Sequence, residues 1–313
     1  MKLSIAVPWY KSRDSVFALH DKVCAAFAQM ADFDQLEFVF VEDCGNDGTW
    51  EKLRELAAAD PRVKAARLAR NFGQHHTLTA CLDLCTGDWI VVMDCDLQDR
   101  PEEIPRLYAK AAEGFDMVCA RRGKRQDSWA KRMSSRCFAW VFSRLSGMPY
   151  DCEIANFRIF SSRVLHAYRT MREATRNLPG QLQWLGFSVG YVDVVHGARY
   201  SGRSSYTLTK LLTLAFDSIV AYSNKPLRLA IRCGALLTLL SLGMALWILV
   251  RKLFWGIPVE GWAGVMVSLW FIGGMIMGNL GIIGIYLGKI YDETKRRPLY
   301  VLAESINIAP PAE

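Results

Sequence analysis

The stretch that decides the fold is IVVMDCDLQDRPEEIP, residues 90–105. An apolar run rich in β-branched residues ends in two carboxylates one residue apart, Asp94 and Asp96. Such a run is typical of a strand buried on both faces, and the Pro-Glu-Glu that follows is typical of a helix start. Because two like charges this close repel each other, the sequence predicts a positively charged group between them.

Short apolar runs and helical patterns alternate along the N-terminal part of the chain. This βαβ rhythm predicts an α/β domain with a mostly parallel sheet and helices on both faces. The predicted strands cover residues 3–7, 38–41, 63–68, 89–93 and 117–120, and the predicted helices cover residues 15–30, 47–59, 74–85 and 102–113.

Polar or aromatic residues stand at the end of each predicted strand. In a parallel sheet these carboxyl ends meet at one edge, where ligands bind. No GxGxxG follows a strand and no GxxxxGK(S/T) occurs, so neither a nicotinamide-binding Rossmann site nor a P-loop is predicted. The strand-end residues are Pro8, Trp9, Tyr10, Glu42, Asp43, Arg70, Asn71, Asp94, Cys95, Asp96, Arg121 and Arg122.

The acidic strand end is chemically suited to a divalent cation. Asp94 and Asp96 provide hard oxygen ligands, and Gln98 adds a neutral amide oxygen. Such groups suit Mg²⁺ or Mn²⁺, usually together with water and phosphate oxygens. A diphosphate bridged by that ion explains how the two carboxylates tolerate each other. The alternative, a surface loop with this composition by coincidence, is disfavoured by the buried run before it.

The C-terminal third of the 313-residue chain contains two long uncharged runs, residues 233–250 and 261–288. Each is long enough to cross the roughly 30 Å of bilayer hydrocarbon as a helix. A buried helical hairpin in a soluble core is the alternative, but charged residues flank both runs. The basic flanks predict that both ends of the hairpin are cytoplasmic.

Four segments are therefore expected along the chain. An amphipathic pattern precedes the spans and favours a membrane-surface helix over a helix packed on the soluble domain. MKLSIAVPWY, at the N-terminus, lacks a signal-peptide pattern. The predicted segments are a cytoplasmic α/β domain (1–200), an amphipathic membrane-interface segment (201–228), two transmembrane helices (229–290) and a cytoplasmic tail (291–313).

Cysteine usage and charge limit the class of partner. The nine cysteines form neither a zinc motif nor a disulfide framework, which fits a reducing cytoplasm. Cys81 and Cys85, one helical turn apart, are interpreted as a buried pair rather than metal ligands. A net charge of +7 suits an anionic membrane surface or phosphate ligands. No nucleic-acid partner is expected.

Six motifs occur in order along residues 1–300: VPWY (7–10), EDCGNDGT (42–49), RNFGQHHTLTA (70–80), MDCDLQDRPEEIP (93–105), RRGKRQDSW (121–129) and GRSSYTLTKLL (202–212). Through them the chain resembles the polyisoprenyl-phosphate glycosyltransferases of glycosyltransferase family two, of the dolichol-phosphate mannose synthase type. Among these it is most similar to bacterial two-span members that use undecaprenyl phosphate.

This resemblance implies a GT-A fold, Mg²⁺ or Mn²⁺, a nucleotide-sugar donor with a UDP-sugar favoured, and a polyisoprenyl-phosphate acceptor. It implies inverting transfer, in which a lipid phosphate oxygen attacks the anomeric carbon and the nucleoside diphosphate leaves. It also implies a multi-pass protein of the bacterial inner membrane with a cytoplasmic catalytic domain. Relatives form tetramers, so a homo-oligomer is expected by analogy.

Site residues carried over from the resemblance fall into three groups. The donor-nucleotide group contains Pro8, Tyr10, Asp43, Asn71 and Asp94. The metal group contains Asp94, Asp96 and Gln98. The lipid-phosphate group, near the membrane, contains Arg125, Arg199, Arg203, Ser205 and Tyr206.

The chain departs from its relatives in YDCEIANFR, residues 150–158. Many relatives have a catalytic aspartate before the Phe-Arg pair, whereas this chain has Asn156. Asp151 and Glu153 are the nearby candidates for that role, and Arg122 completes the predicted catalytic group. The alternative is that Asn156 binds a sugar hydroxyl or a backbone group and that the acids are structural.

Two other functions are consistent with parts of the sequence. A processive polysaccharide synthase usually carries QxxRW, but this chain offers Gln181-Leu-Gln-Trp184 without the arginine and only two predicted spans. A non-catalytic, membrane-anchored nucleotide-binding scaffold is favoured only by the change at Asn156.

Overall fold

The computed structural model describes residues 1–122, 144, 154–194, 223, 225–255 and 261–308. The chain divides into two compact units, which are described separately. The first comprises Met1–Cys137, Asp151–Ser205 and Arg297–Glu313, and the second comprises Phe138–Tyr150 and Tyr206–Arg296.

Within the described residues, one mixed sheet of eight strands forms the centre of the first unit: β1 (Lys2–Trp9), β2 (Gln35–Glu42), β3 (Val63–Leu68), β4 (Trp89–Val92), β5 (Met117–Arg122), β6 (Ile154–Ser161), β7 (Val189–Val194) and β8 (Leu302–Ile306). Their order is β7-β5-β6-β4-β1-β2-β3-β8. β1 to β4 are parallel, and β6 and β8 run antiparallel to their neighbours. The predicted α/β fold with a mostly parallel sheet is confirmed.

Helices cover both faces of this sheet because β1 to β4 bury side chains on both sides. In β1, Ile5 belongs to one hydrophobic cluster and Ala6 to the other, as expected when successive side chains alternate between faces. α1, α2 and α4 contribute to the first cluster, and α3, α5 and α6 to the second. The helices are α1 (Val16–Phe27), α2 (Thr49–Ala59), α3 (Gln74–Leu84), α4 (Ile104–Ala111), α5 (Ser162–Thr170) and α6 (Leu178–Leu185).

The last strand, β8, lies within residues 291–313, for which the sequence predicts only a tail. β8 pairs antiparallel with β3 and covers an edge that would otherwise expose unpaired backbone groups. Glu304 accepts a hydrogen bond from Trp50 Nε1 at 3.2 Å. Asn307 Nδ2 donates to the Ala57 and Val63 carbonyls at 2.8 and 2.9 Å. The segment that follows the last long helix therefore completes the sheet.

The second unit contains two long helices, α7 (Lys225–Trp255) and α8 (Trp262–Thr294). In the part of this unit that the structure describes, one helical stretch, Phe271–Thr294, has the length and the mean hydropathy (1.6) of a membrane span. Both predicted spans are thus helical, but a two-span hairpin stays a prediction. The amphipathic segment predicted over residues 201–228 lies largely outside the described residues.

Glu37 fixes the amino ends of the central strands. Its side chain is buried and forms ion pairs with Lys2 and Lys64, with N–O distances of 2.6 and 2.7 Å. Thr86, just before β4, donates a third hydrogen bond at 2.6 Å. Burial by itself would raise the pKa of Glu37, but the hydrogen bonds from Lys2, Lys64 and Thr86 lower it below its usual value. One carboxylate therefore joins the beginnings of β1, β2, β3 and β4.

We expect Glu37→Gln to lower the free energy of unfolding by about 2–3 kcal/mol at neutral pH, because it leaves two partly buried ammonium groups without their counterion. A lowered folded-state pKa stabilises the fold above the unfolded-state pKa, and this contribution is lost as the pH falls through the folded-state value. The deficit should therefore shrink below pH 4.5, the ordinary pKa of the group.

Denaturant unfolding in detergent, followed by circular dichroism, measures this difference. Glu55→Gln is the matched control, because Glu55 pairs with Lys52 on the surface and is 61% exposed; we expect it to change stability by less than about 0.5 kcal/mol. A deficit at Glu37 that stays constant with pH would contradict the assignment.

Candidate functional site

The carboxyl ends of β1 and β2 lie side by side. Trp9 is in register with Glu42, so the next residues, Tyr10 and Asp43, follow neighbouring strands. The Asp43 backbone N–H donates to the Trp9 carbonyl at 2.9 Å. The structure therefore places the predicted nucleotide-binding residues of these two strands together.

Asp43 organises the loop that leads from β3 into α3. Its side chain is buried, and its two carboxylate oxygens accept the backbone N–H groups of Phe72 and Gly73 at 2.7 and 2.9 Å. Burial raises the pKa of Asp43, while these two hydrogen bonds oppose the increase. Gly73 has φ +90° and ψ 154°, a conformation that is essentially restricted to glycine. The carboxylate and the glycine together fix the start of α3.

The remaining predicted donor-site residues surround this contact. Asn71 Nδ2 donates to the Asp43 carbonyl at 3.3 Å. Pro8 is buried in β1 and in register with Val41. Tyr10 is 46% exposed, and the Lys11 ammonium lies 5.3 Å from the centroid of its ring; an exposed aromatic ring of this kind can stack with a base. The arrangement offers an apolar floor, an exposed ring and polar backbone groups, as a nucleoside requires.

The acidic loop, residues 94–98, follows β4 and is held by hydrogen bonds from α3 and from Ser15 and by one within the loop. Gln74, the first residue of α3, donates from Nε2 to Asp94 Oδ1 at 3.0 Å. The Gln98 backbone N–H donates to Asp96 Oδ1 at 3.1 Å. Between the two aspartates, the Cys95 carbonyl accepts the Ser15 hydroxyl at 2.7 Å. These contacts fix the backbone of the loop, and both aspartates are half-buried.

The oxygen donors of this loop fit a divalent metal that is shared with a ligand. Asp94, Asp96 and Gln98 offer two carboxylates and an amide, which suit Mg²⁺ or Mn²⁺. Among the described residues, no group of three or more His, Cys, Asp or Glu side chains could hold a metal ion. The loop would thus supply part of a coordination shell, and water and phosphate oxygens would complete it.

Asn156 lies near the acidic loop, on β6. Val92 of β4 is in register with Arg158, and continuing this antiparallel register by two residues places Asn156 level with Asp94. Asn156 is half-buried, and its carbonyl accepts a hydrogen bond from Arg158 Nε at 3.0 Å. Asn156, which stands where an aspartate was expected, therefore lies at the same edge of the sheet as the predicted metal site.

Arg122 is the last residue of β5, in register with Val194. The other predicted catalytic and lipid-phosphate residues lie outside the described residues: Asp151, Glu153, Arg125, Arg199, Arg203, Ser205 and Tyr206. Their roles stay predictions.

Sequence reasoning did not single out Gln74, although it stands in the quoted RNFGQHHTLTA motif. The signal was its position directly after a glycine at a predicted helix start, on the edge where the strands end. The contact with Asp94 makes Gln74 a positioning residue for the acidic loop.

Residues 4–172 match the sequence model of glycosyl transferase family 2. The chain belongs to glycosyl transferase family 2. The match covers β1 to β6 and includes the acidic loop and Asp43. This member is therefore a glycosyltransferase, and its sheet has the GT-A-like α/β arrangement.

Relatives of this family 2 enzyme match it over nearly its whole length. Bactoprenol glucosyl transferase of Shigella phage SfX is 33% identical over 303 residues, which is 96% of this chain and 99% of that protein. A prophage bactoprenol glucosyl transferase homologue of Escherichia coli K12 is 32% identical over 303 residues, 96% of this chain and 98% of that protein.

A solved structure shares the fold of this glycosyltransferase. Glucosyl-3-phosphoglycerate synthase of Mycobacterium tuberculosis, crystallised with Mn²⁺, UDP and phosphoglyceric acid, has a TM-score of 0.50. It is 16% identical, and the match covers 70% of this chain and 76% of that one. At this identity the likeness shows the fold alone.

We expect Asp43→Asn to weaken UDP binding at least tenfold and to lower the free energy of unfolding by about 1–3 kcal/mol. The side chain of asparagine has an NH₂ group in place of one carboxylate oxygen. That group would face the backbone N–H of either Phe72 or Gly73, and this buried donor would lose its acceptor. Isothermal titration calorimetry with UDP and a thermal melt measure the two effects.

Asp14→Asn is the matched control, because Asp14 is exposed, and both quantities should stay at their wild-type values. Unchanged UDP affinity in the Asp43 variant would show that the loop between β3 and α3 is not part of the nucleotide site.

Proposed function

We propose that this glycosyltransferase moves a sugar from a nucleotide sugar, with a UDP-sugar favoured, to undecaprenyl phosphate at the cytoplasmic face of the bacterial inner membrane. The observation that carries the proposal is the similarity to bactoprenol glucosyl transferases over 96% of the chain. That similarity extends beyond the α/β domain into α7 and α8, so it includes the segments expected to contact the lipid.

The donor would bind at the carboxyl ends of β1 to β4. Its base would lie against Pro8 and Tyr10 near Asp43 and Asn71, and its diphosphate would lie at Asp94. Asp94, Asp96 and Gln98 would hold Mg²⁺ or Mn²⁺, which when bound neutralises the charge of the diphosphate leaving group. The M. tuberculosis synthase, which shares the fold, was crystallised with Mn²⁺ and UDP, so the proposed combination of ligands has a precedent in this fold.

The acceptor is the phosphate of the lipid, which is already mostly an oxyanion at pH 7 because its second pKa is near 6. In inverting transfer one of its oxygens forms the new bond to the anomeric carbon while the bond from that carbon to the diphosphate breaks. Strong general-base assistance is therefore unnecessary, and positioning and charge neutralisation lower most of the barrier. A change from aspartate to Asn156 is compatible with this chemistry, and Asp151, Glu153 and Arg122 remain the proposed neighbours of the reacting groups.

The lipid phosphate would be held by basic and hydroxyl side chains at the membrane surface. We assign Arg125, Arg199, Arg203, Ser205 and Tyr206 to this role. These residues precede the long helices in the chain.

The two long helices would anchor the enzyme as a hairpin. Their apolar side chains are exposed in the second unit, for example Leu239 (67%) on α7 and Met277 (68%) on α8. Exposed apolar surface on this scale is costly in water and is stabilised by lipid. Basic residues flank both helices and favour cytoplasmic ends. Pairs of small residues on α8 would allow close helix packing in a homo-oligomer, with a tetramer expected by analogy.

We predict that the purified protein in detergent, supplied with Mg²⁺ or Mn²⁺, converts radiolabelled undecaprenyl phosphate into a glycosyl lipid with at least one nucleotide sugar. A panel of UDP- and GDP-sugars, analysed by thin-layer chromatography, identifies the donor. Addition of EDTA should abolish the product, because the metal held by Asp94, Asp96 and Gln98 would neutralise the charge of the leaving diphosphate.

Asp96→Asn supplies the matched test of the acidic loop, with Asp14→Asn as its control. The Asp96 variant should retain its melting temperature and lose at least about 100-fold in rate, in line with loss of a charge-stabilising group. Nucleotide binding without lipid product from any donor would instead favour the non-catalytic scaffold. Full activity of the Asp96 variant would remove the metal from the mechanism.

A further inference from the structure

A buried polar cluster lies between α3 and the segment that joins α5 to α6. It consists of Glu173, Arg176 and Gln181 and is called the Glu173 cluster below. Arg176 is 4% exposed and Gln181 is fully buried, whereas the Glu173 side chain is 44% exposed. Gln181 Nε2 donates to Glu173 Oε2 at 2.5 Å, and Arg176 Nη1 lies 3.6 Å from the same oxygen. The Glu173 carboxylate is therefore the part of the cluster that is exposed to solvent.

Two polar atoms of the Glu173 cluster are buried without a hydrogen-bond partner among the described residues. Arg176 uses Nε to donate to Thr79 Oγ1 at 3.0 Å and Nη1 to donate to the Met171 carbonyl at 2.7 Å, but its Nη2 has no acceptor. Gln181 Oε1 has no donor. A buried polar atom that makes no hydrogen bond lowers stability, so these two atoms favour a ligand that supplies both an acceptor and a donor.

The Glu173 cluster is bonded to α3, the helix whose first residue binds Asp94. Arg176 is bonded to Thr79 of α3, which follows Gln74 by five residues, or about 7–8 Å along the helix axis. Gln74 is the residue that binds Asp94. His76, between them, contacts the Ala174 carbonyl through Nε2 at 3.3 Å. The segment that carries the cluster is thus fixed to the same helix start that positions the proposed diphosphate site.

The chemistry of the Glu173 cluster selects a neutral ligand with hydroxyl groups. Arg176 Nη2 requires an acceptor and Gln181 Oε1 requires a donor, and a hydroxyl group supplies both. A phosphate supplies acceptors only, and the neighbouring Glu173 carboxylate would repel it. Burial lowers the pKa values of His75 and His76, so the adjacent imidazoles are neutral at pH 7 and add no charge that would attract an anion.

We propose that Arg176 and Gln181, with Glu173 at the opening, form a subsite for hydroxyl groups of the sugar carried by the nucleotide donor. This inference rests on the proposed function, since it takes the ligand at Asp94 to be a sugar diphosphate. The subsite discriminates between donors, because a site with buried hydrogen-bonding groups rejects an analogue that lacks the matching hydroxyl.

Isothermal titration calorimetry with UDP, UDP-glucose, UDP-galactose and UDP-N-acetylglucosamine tests the subsite in the full chain with Mn²⁺. We expect Gln181→Met and Arg176→Lys each to weaken the best-bound UDP-sugar about tenfold, which corresponds to one hydrogen bond. Affinity for UDP should change less than twofold. Deoxy analogues of that sugar nucleotide, tested at each hydroxyl, should include one that the wild type binds about tenfold more weakly and the variants do not discriminate against.

Gln183→Met and Arg172→Lys are the matched controls. Gln183 is exposed on the same helix, α6, and Arg172 is 51% exposed and paired with Asp83; both variants should bind every ligand as the wild type does. If the Gln181 and Arg176 variants lost affinity equally for UDP and for UDP-sugars, or lost none, the proposed subsite would be wrong. Ordered water would then be the occupant of the Glu173 cluster. Because binding is measured apart from transfer, failure of the wild type to glycosylate undecaprenyl phosphate would contradict the proposed acceptor without altering this result.

Discussion

The carboxylate of Asp43 receives the backbone N–H groups of Phe72 and Gly73, and the geometry of the whole site depends on this contact. The contact joins the end of β2 to the start of α3. α3 then holds the acidic loop through Gln74 and Asp94 and holds the Glu173 cluster through Thr79. One buried side chain therefore sets the relative positions of the proposed base, diphosphate and sugar sites.

Buried carboxylates lie at both ends of the sheet. At the amino ends of the strands, Glu37 binds Lys2, Lys64 and Thr86, and these contacts stabilise the fold. At the carboxyl ends, Asp43 binds backbone N–H groups and Asp94 accepts from a neutral amide. These two contacts position the loop before α3 and the acidic loop, where the donor is proposed to bind.

Sequence patterns predicted the strands that are buried on both faces, because long apolar runs between turn residues leave few alternatives. They also brought Tyr10, Asp43, Asn71 and Asp94 to one edge, since parallel strands share their carboxyl ends. β6 was missed because Asn156 and Arg158 interrupt its apolar pattern. β8 was missed because its pairing with β3 joins residues more than 230 positions apart in the chain, as the Ala66–Ser305 register illustrates, and no local pattern encodes such a contact. The same limit explains why Arg176 and Gln181 were not singled out as a pair, since their unmade hydrogen bonds exist only in the folded domain.

The central claim is that the carboxyl ends of β1 to β4 form a nucleotide-sugar site with the acidic loop at its metal. Cryo-electron microscopy of the detergent-solubilised chain with UDP and Mn²⁺ tests it most directly. The account predicts uracil density beside Tyr10 and Asp43, and Mn²⁺ between the diphosphate and the carboxylates of Asp94 and Asp96. A nucleotide bound away from this edge, or Mn²⁺ remote from both aspartates, would contradict it.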